Sequence, residues 1–580
     1  MKITAEDKAP RGSSLATWVP IIGVLRGYNA AWLRADLVAG ASVCVVMIPS
    51  VIAYAELAGL PPQHGLYGAL AAMIVYALFT SSRQVIAGPD AALTLLLASA
   101  IGPLVAGDVS RAVGLSALVA LFGGAILLLA AVFRIGVITD LLSKSVLVGY
   151  MSGAALILAS TQLGKLFGVE LVSREFFPIL WELFVRFGET HWPTFLLGAG
   201  LMAILAALRR IVPKAPGALI ASVLAVGVSL AFDLPSRGVK VIGEVAQGLP
   251  QPGLPAVSLG DIRTILPGAL AIALLTFPEA ILLARAFAAK NRYEIRPNQE
   301  LVALAAANFA AGLCQGFSVG ASQSRTVTND ATGGKSQMVN LIAGALLVAF
   351  LLVLTPALEP LPMVALAAIL INAGIHLVDV KAYRTFFRIS PRAGWLALIV
   401  ALGVLVIGVI PGILVGVTLS LGYLLARLAR PTDAVLQEVP GTGRFHDVGG
   451  DDVRTHTVPG LIAYRFYAPL LFPNAEHFAR RIRSLVAESP QPVKWVLVDV
   501  QAVTDIDESG AEVVQQLAEG LAAQGVALKF ARANRPLRAV VERIGLGEHL
   551  RQEWLFPSVH AAVEAFRRQE SAGADAPRGE

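Results

Sequence analysis

The 580-residue sequence contains little charge and almost no cysteine. Only 15% of its residues are Asp, Glu, Lys or Arg, and its two cysteines, Cys44 and Cys314, lie in apolar stretches. This pattern supports neither a disulfide framework nor a zinc site. The sequence also lacks a Walker phosphate loop, an HExxH pair, and a nucleophile accompanied by a base and an orienting group. We therefore predict no enzymatic activity, no metal and no cofactor.

Long apolar runs are abundant instead, since 56% of the residues are hydrophobic. Apolar windows near the 20-residue length that spans a bilayer recur through residues 35–430, which predicts a transmembrane transport domain. There are about fourteen segments, at 36–58, 62–82, 88–102, 112–133, 138–163, 193–208, 215–232, 264–288, 298–314, 321–333, 337–357, 363–378, 393–409 and 411–427. The net charge of +6 does not indicate nucleic acid, because the basic residues cluster beside segment ends.

The orientation in the membrane follows from the basic residues. The N-terminus has no basic stretch followed by an apolar core and a small-residue cleavage site, so residues 1–34 are predicted to form a cytosolic tail and an interfacial segment. A cytoplasmic N-terminus places most basic loop residues inside. We predict a multi-pass protein of the plasma (inner) membrane, with both termini cytoplasmic and the lipid bilayer as a partner. Residues 173–189 are predicted to form an amphipathic surface helix.

Two charged residues, Asp90 and Arg325, lie inside apolar stretches, each shortly after a helix-breaking Gly or Pro. Charge at that depth is costly, so it usually faces a protein-lined site for substrate or ions. The segments that carry them, the third and the tenth, are too short to cross as full helices. These residues indicate a transporter.

The two halves of the membrane region have similar breaks. A span predicted to break at Pro49 is followed by the Gly88-Pro89 break, and one predicted to break at Pro278 is followed by a break at 316–320. Chance similarity between proline-containing helices is the alternative. With seven segments per half, the second repeat is inverted relative to the first, which places a site near the midplane.

Segments 3 and 10 then run in opposite directions and their N-termini converge. Free N–H groups and the positive end of the helix dipole make a helix N-terminus attractive to anions. The residues just before each segment, 84–88 and 317–321, are expected to be extended and surrounded by protein. These features together predict an anion site between the two N-termini.

Several sequence motifs resemble those of the SulP anion transporters, the solute carrier family 26. In the first half they are Asp36-Leu-Val-Ala-Gly40, Ile48-Pro-Ser-Val-Ile-Ala-Tyr54, Leu57-Ala-Gly-Leu-Pro-Pro62, His64-Gly-Leu-Tyr67, Ser81-Ser-Arg83 and Gly88-Pro89. In the second half they are Asn298-Gln-Glu-Leu301, Asn308, Gly316-Phe317 and Ser324-Arg325. This family includes sulfate permeases, bicarbonate transporters and prestin.

The resemblance implies a polytopic α-helical membrane protein with fourteen segments in two inverted repeats of seven, divided into core and gate domains. It also implies a homodimer, and one anion bound between segments 3 and 10. The matching substrate-site positions are Ser50, Tyr54, Asp90, Ala91, Ala321, Ser322, Gln323, Ser324 and Arg325. Arg325 would supply charge and a planar donor fork, although pairing with a carboxylate or a helix C-terminus is the alternative. Tyr54 taken alone would be a packing residue.

Two acidic residues are candidates for ion coupling. Asp90 departs from the apolar or small residue typical of this position, and its negative charge would repel an anion unless it is protonated. Our hypothesis is that Asp90 binds a proton first; helix capping is the alternative. Glu279 matches an acidic position that relatives use for proton or sodium coupling. Sodium would need further oxygen ligands such as Thr276, Thr326 and Thr328, and a salt bridge to Arg285 or Arg325 is the structural alternative.

The pattern changes after Pro431 to alternating strands and helices, which predicts a small cytosolic α/β domain. Strands are predicted at 460–467, 493–500 and 526–530, and helices at 474–488, 510–523, 536–544 and 558–569. The run Val503-Thr-Asp-Ile-Asp-Glu-Ser-Gly-Ala511 resembles the central loop of STAS domains, in which related proteins carry a phosphorylated serine, here Ser509. A capping box formed by Ser509 and Glu512 is the other interpretation. We predict a STAS domain over 431–570 and a disordered tail over 571–580.

These features predict a secondary active transporter of a small anion of the sulfate, bicarbonate or dicarboxylate class. Coupling to H+ or Na+ and alternating access are expected. A passive anion channel, an anion exchanger and a membrane-anchored STAS signalling protein remain alternatives. A nucleobase symporter of similar fold is not expected to have Arg325 or a STAS domain.

Overall fold

The computed structural model describes residues 19–105, 107–134, 143–173, 175–212, 216–255, 258–439, 444–447, 457–535, 537–538 and 554–574. It divides into two compact units, Met1–Ser420 and Leu421–Glu580. The predicted tail at 1–18 and 575–580, and most of the helix predicted at 536–544, lie outside these residues.

Every apolar segment predicted from the sequence overlaps a helix of the region before residue 430, whose last helix continues past Ser420 into the second unit. The helices there are α1 Ile21–Arg26, α2 Ala30–Leu57, α3 Pro62–Phe79, α4 Ala91–Val105, α5 Val109–Val132, α6 Lys144–Thr161, α7 Leu163–Phe167, α8 Phe176–Val185, α9 Trp192–Ile211, α10 Gly217–Ala231, α11 Leu259–Asn291, α12 Pro297–Leu313, α13 Gln323–Ala331, α14 Met338–Ala349, α15 Met363–Leu377, α16 Val380–Ile389, α17 Pro391–Ile407 and α18 Val409–Ala429. Two short strands, β1 Ala87–Gly88 and β2 Gly320–Ala321, precede α4 and α13. Among the described residues, 8 helices are long and apolar enough to span a bilayer, so the count of fourteen crossings stays a prediction.

Two boundaries differ from the sequence predictions. The first long helix begins at Ala30 because the Asn29 side chain accepts a hydrogen bond from the Ala31 N–H, so α2 includes part of the predicted interfacial segment. The predicted breaks at Pro49 and Pro278 are wrong, since α2 and α11 continue through both prolines. A proline removes one hydrogen bond, and a long helix packed in protein keeps the remainder of its ladder.

Helix packing divides the first unit into two groups. In one group α3 and α5 pack against α12, and α2 packs against α14. In the other group α6 packs against α15 and α17, and α9 packs against α15. These groups correspond to the expected core and gate.

The packing around the short helices has the symmetry of an inverted repeat. Helix α2, which carries segment 1, packs on α13, which carries segment 10, and α11 (segment 8) packs on α4 (segment 3). Because segments 1 and 8 are equivalent positions in the two repeats, as are 3 and 10, each short helix rests on the opposite repeat.

The second unit contains an α/β domain. Its elements are β3 Asp433–Val439, β4 Arg444–Asp447, β5 Leu461–Phe466, α19 Ala475–Ala487, β6 Trp495–Asp499, α20 Glu508–Ala523, β7 Ala527–Ala531, β8 Leu555–Phe556 and α21 Val559–Ala574. The sheet order is β4-β3-β5-β6-β7-β8, with β5 to β8 parallel and β3 antiparallel to both of its neighbours. Helix α21 continues to Ala574, so 571–574 are helical and not part of a disordered tail.

Alternation along β6 explains the two layers of this domain. Val496 and Val498 pack with the helices α19 and α20, whereas Trp495 and Leu497 pack with α21. Successive side chains of a strand point to opposite faces, so a fully apolar strand requires cover on both faces.

Candidate functional site

The two short strands form the scaffold of the candidate site. They pair antiparallel, with Ala87 opposite Ala321 and Gly88 opposite Gly320, and the Ser322 N–H extends the pairing by donating to the Ile86 carbonyl at 2.9 Å. Each strand leads directly into a short helix, β1 into α4 and β2 into α13. The extended backbone predicted at these places is present, and the pairing brings the N-termini of the two helices close together.

Buried polar side chains satisfy the backbone of the first strand segment. Asn329 donates to the Gln84 carbonyl at 2.8 Å, Asn340 donates to the Val85 carbonyl at 3.1 Å, and the Ile86 N–H donates to the Thr326 hydroxyl at 3.1 Å. Non-helical backbone at membrane depth requires such partners because lipid offers none. Sequence analysis missed Asn329 and Asn340, although Asn340 lies in the apolar helix α14, where a buried Asn is itself a signal.

Asn308 has the equivalent task in the second strand segment. Its amide nitrogen donates to the Val319 carbonyl at 2.9 Å, and its oxygen accepts from the Val319 N–H at 3.0 Å. One side chain from α12 therefore satisfies both backbone polar groups of Val319. This contact gives a physical role to a residue known only from the sequence motif.

Arg325 is the central charged group of the site. Its side chain is buried (2% exposed), and its Nη2 donates to the Pro89 carbonyl across the strand pair. Within the described residues its Nε and Nη1 have no hydrogen-bond partner, and no ion pair joins it to a carboxylate. Buried donors without partners are costly, so they indicate a ligand position. The alternative of a structural pairing with a carboxylate is not what the geometry shows.

Asp90 lies at the start of α4. Its Oδ1 accepts from the Ala92 N–H at 3.2 Å, so the side chain caps the helix, which is the structural role that the sequence also allowed. The buried Ala91 follows it, and Tyr150 of α6 donates to the Ala92 carbonyl at 3.1 Å. Tyr150 was not found from the sequence. Its hydroxyl links α6 of the gate group to the N-terminal turn of α4.

Tyr54, Asp90 and Arg325 are close enough to interact electrostatically, and Glu279 interacts in the same way with Asp90 and Tyr150. Glu279 is half-buried and forms no salt bridge with Arg325 in the part of the chain that is described. The structure therefore gathers the tyrosine, the arginine and both acidic candidates around the start of α4.

The other predicted site residues differ in their exposure. Ala321 and Ser322 are buried, whereas Gln323 and Ser324 are exposed, and the hydroxyls of Ser322 and Ser324 lie 3.5 Å apart. The Ser50 hydroxyl donates to the Val46 carbonyl of its own helix at 3.0 Å. Thus the Ser324 hydroxyl is on an exposed residue of α13, whereas the Ser50 hydroxyl donates to the backbone of its own helix.

Glu300 forms a second buried polar centre that sequence analysis did not assign. Its carboxylate (1% exposed) accepts from the Tyr76 hydroxyl at 2.6 Å, from Thr80 and Ser81 hydroxyls, and from the Ser81 and Ser82 N–H groups. This arrangement ties the C-terminal end of α3 to the start of α12. The segment that leads into β1 is therefore anchored at its beginning.

A cavity of about 1200 Å³ lies between the two helix groups, away from Arg325. Ser99 of α4 and Gln162 and Lys165 of the gate group line it, and Lys165 forms an ion pair of 2.6 Å with Glu56 of α2. Since Ser99 lies two turns beyond Ala91 on the same helix, the cavity reaches α4 from the end opposite to its N-terminus.

The interpretation of Ser509 as a helix cap is wrong. Helix α20 begins at Glu508 because the Asp507 side chain accepts from the Gly510 N–H at 2.7 Å, so Asp507 is the N-cap. Asp507 also accepts from the Phe472 N–H at 2.7 Å, which fixes the loop before the helix. Ser509 is exposed in the first turn, and its phosphorylation stays a prediction.

A helical membrane unit with two half-helices that meet at a buried arginine, followed by an α/β domain, defines a polytopic membrane transporter. The sulfate permease family model matches residues 33–401, and the STAS domain model matches residues 452–562. The chain belongs to the sulfate permease family and carries a STAS domain; it is a transporter and not an enzyme.

Individual relatives agree with this assignment. A probable sulfate transporter of Mycobacterium tuberculosis (strain CDC 1551 / Oshkosh) is 39% identical over 554 residues, which cover 96% of this chain and 99% of that protein. Sulfate transporter 4.1, chloroplastic, of Arabidopsis thaliana is 30% identical, with 97% and 84% covered. The murine Solute Carrier 26 family member A9 anion transporter in the inward-facing state has a TM-score of 0.88 at 21% identity, with 97% of each chain covered. The transmembrane domain of the cyanobacterial bicarbonate transporter BicA has a TM-score of 0.59 at 23% identity and covers 68% of this chain and 98% of its own.

Proposed function

We propose that the protein is a secondary active transporter of a small oxyanion of the sulfate class, bound between the N-termini of α4 and α13. The observation that carries this proposal is Arg325, a buried guanidinium with two nitrogens lacking partners beside two helix starts. An oxyanion supplies several acceptor oxygens and a negative charge, which are what the guanidinium and the N–H groups lack. Sulfate is favoured because the Mycobacterium tuberculosis and Arabidopsis thaliana relatives described above are named as sulfate transporters. Bicarbonate and dicarboxylates are the substrates to test beside it.

We propose that transport is coupled to a cation, with Asp90 and Glu279 as the groups that respond to it. Both carboxyl groups lie in the electrostatic neighbourhood of the anion position. A substrate anion between them would be repelled, and a bound proton or sodium ion reduces that repulsion. Alternating access then follows if the core group moves relative to the gate group, carrying α4 and α13 together because β1 and β2 pair.

The proposal further includes a homodimer in the plasma (inner) membrane with the STAS domain and N-terminus in the cytoplasm. The basic residues beside segment ends support this orientation. Cysteine labelling of sealed cells tests the orientation. A thiol reagent that cannot cross the membrane should label the Ser509→Cys variant at residue 509 only after permeabilisation.

The decisive experiment is radiolabelled sulfate uptake into proteoliposomes with the full-length protein. Wild type should accumulate sulfate above the external concentration when a proton or sodium gradient is imposed, and Arg325→Gln should not. Uptake that only equilibrates sulfate indicates a channel, and uptake that requires an internal anion indicates an exchanger. If no anion enters with any gradient, the transport proposal fails and the signalling alternative gains support.

A further inference from the structure

Helix α16 has one face of basic residues that the transport site does not use. Lys381, Arg384 and Arg388 are spaced by three and four positions, so they share a face of the helix, and all three are exposed. Ala382 is buried and Tyr383 and Phe386 are half-buried on other faces, where the helix packs against α17. The basic face is thus turned away from the protein.

The next helix presents a stripe that is suited to lipid. Trp395, Ile399, Leu402 and Val406 of α17 are 59%, 48%, 56% and 63% exposed, whereas the intervening Ala397, Val400 and Val404 are buried. Large apolar side chains exposed at helical spacing on a membrane helix contact acyl chains. Arg392 precedes Trp395 by three residues, so it continues this stripe at its N-terminal end.

An aromatic pair connects the basic face to the stripe. The rings of Phe387 and Trp395 lie 5.8 Å apart, edge to face, and the Phe387 ring lies over Gly394, where an added Cβ would be only 2.9 Å from ring atoms. Tryptophan and other amphipathic aromatics concentrate at the level of the lipid headgroups. Arg388 is adjacent to Phe387, and Arg392 precedes Trp395 by three residues. We therefore expect both arginines at headgroup level.

The charges at this place are not neutralised by the surrounding described residues. Lys381, Arg384, Arg388 and Arg392 make no ion pair with any of them. By contrast, Lys290 pairs with Asp330. Asp379 is the only acidic residue between Glu359 and Asp433, and its side chain caps α16 by accepting from the Ala382 N–H at 2.9 Å.

We propose that Arg384, Arg388 and Arg392 bind the phosphate headgroup of an anionic phospholipid, whose acyl chains lie along the Trp395 stripe. Guanidinium groups match a phosphate with paired N–H donors, and basic clusters beside a membrane helix attract anionic lipids. The occupant is a lipid and not a soluble phosphate, because the basic residues adjoin an apolar stripe that only acyl chains would cover. The inference requires membrane embedding but not the proposed transport activity.

Lipid binding to the purified full-length protein tests this inference. Native mass spectrometry should show phosphatidylglycerol retained by wild type in preference to phosphatidylcholine. Arg384→Gln/Arg388→Gln/Arg392→Gln should weaken phosphatidylglycerol binding at least tenfold, since each basic residue near the surface contributes about a fivefold effect. The control Arg209→Gln/Arg210→Gln removes two exposed charges at the end of α9 and should leave binding unchanged.

A second variant separates charge from folding. Arg384→Lys/Arg388→Lys/Arg392→Lys keeps the charge and should retain most of the phosphatidylglycerol binding. The proposal is overturned if wild type binds both lipids equally, if the glutamine variant keeps its phosphatidylglycerol binding, or if the glutamine variant and the α9 control lose binding equally. The last outcome would mean that basic charge anywhere on this surface is sufficient. A lysine variant that binds no lipid while remaining monodisperse would equally contradict it.

Discussion

Arg325 shows how one side chain depends on the smallest residue beside it. Gly88 has φ of +152° and lies against the guanidinium, so that a Cβ there would be 3.1 Å from Nη1. Glycine is thus required both for the backbone conformation and for the space. A guanidinium that is fixed in this way is held ready for a ligand.

We expect Gly88→Ala to weaken sulfate uptake through substrate affinity. The added methyl group pushes the guanidinium from its place and strains the backbone, which costs more than about 1 kcal/mol. The KM for sulfate should therefore rise about fivefold or more while the protein remains folded. Concentration-dependent uptake provides the measurement, with Gly200→Ala as the control because a Cβ there meets nothing within 4 Å. An unaltered KM would contradict the contact.

Glu300→Gln should destabilise the protein without abolishing sulfate binding. The carboxylate accepts every hydrogen bond around it, whereas an amide would replace one of its two acceptor oxygens with an NH2 donor. That NH2 group would face either the Ser81 and Ser82 N–H donors or the hydroxyls that donate to the other oxygen. Leaving such buried groups unpaired costs about 1–3 kcal/mol. Thermal unfolding in detergent should show a lower Tm, and the exposed Glu294→Gln should not. Equal melting temperatures for both variants would show that the network is not needed for stability.

Among the secondary-structure elements, α3 and the loop before β2 cross in close contact. A Cβ at Gly316 would be 2.5 Å from the Gly68 Cα, which is backbone and cannot rotate away. By contrast, a Cβ at Gly320 would meet the end of the Leu93 side chain at 2.7 Å, and that side chain can shift. The strand pair therefore depends on glycine most strongly at the approach to β2.

Gly316→Ala should be more damaging than Gly320→Ala. Overpacking against backbone costs about 1–3 kcal/mol, because α3 and the loop before β2 must separate. We expect a clear drop in Tm for Gly316→Ala, a smaller one for Gly320→Ala, and no loss for Gly200→Ala. Unfolding of the three variants, monitored by tryptophan fluorescence, gives the ranking. Reversal of the first two would place the tight contact elsewhere.

In the mechanism that we propose, coupling depends on several elements of the transporter together. Asp90 belongs to α4, Glu279 to α11 and Arg325 to α13, and the strand pair and helix packing bring them to one place. The start of α4 would contribute both to the anion position and, through Asp90, to coupling, whereas Glu279 and Arg325 come from other segments.

We expect Asp90→Asn and Glu279→Gln to change how uptake depends on the imposed gradient. If the proton is the coupling ion, uptake by wild type rises as external pH falls, because protonation removes negative charge beside the anion. Loss of the coupling carboxyl should flatten this dependence and remove accumulation against a gradient. Sulfate uptake at several external pH values, with and without sodium, makes the test. A variant with the full pH dependence of wild type would exclude that residue as the coupling group.

Much of this architecture can be predicted from the sequence, because hydropathy and segment length are local properties. The fourteen apolar segments, the two short ones and the strand–helix alternation of the STAS domain follow from composition within windows of about 20 residues. The positions of Asp90 and Arg325 within short apolar segments likewise indicated a functional site.

Contacts between distant segments decided the rest. Whether α2 and α11 break at their prolines depends on the helices around them, and both continue. Asp507 caps α20 in place of Ser509 because it also holds the loop at Phe472. The pairing of β1 with β2, and the two donors of Arg325 that lack partners, arise only when residues more than 200 positions apart meet. Local pattern specifies which segments enter the membrane, and packing specifies which of their polar groups remain available to a ligand.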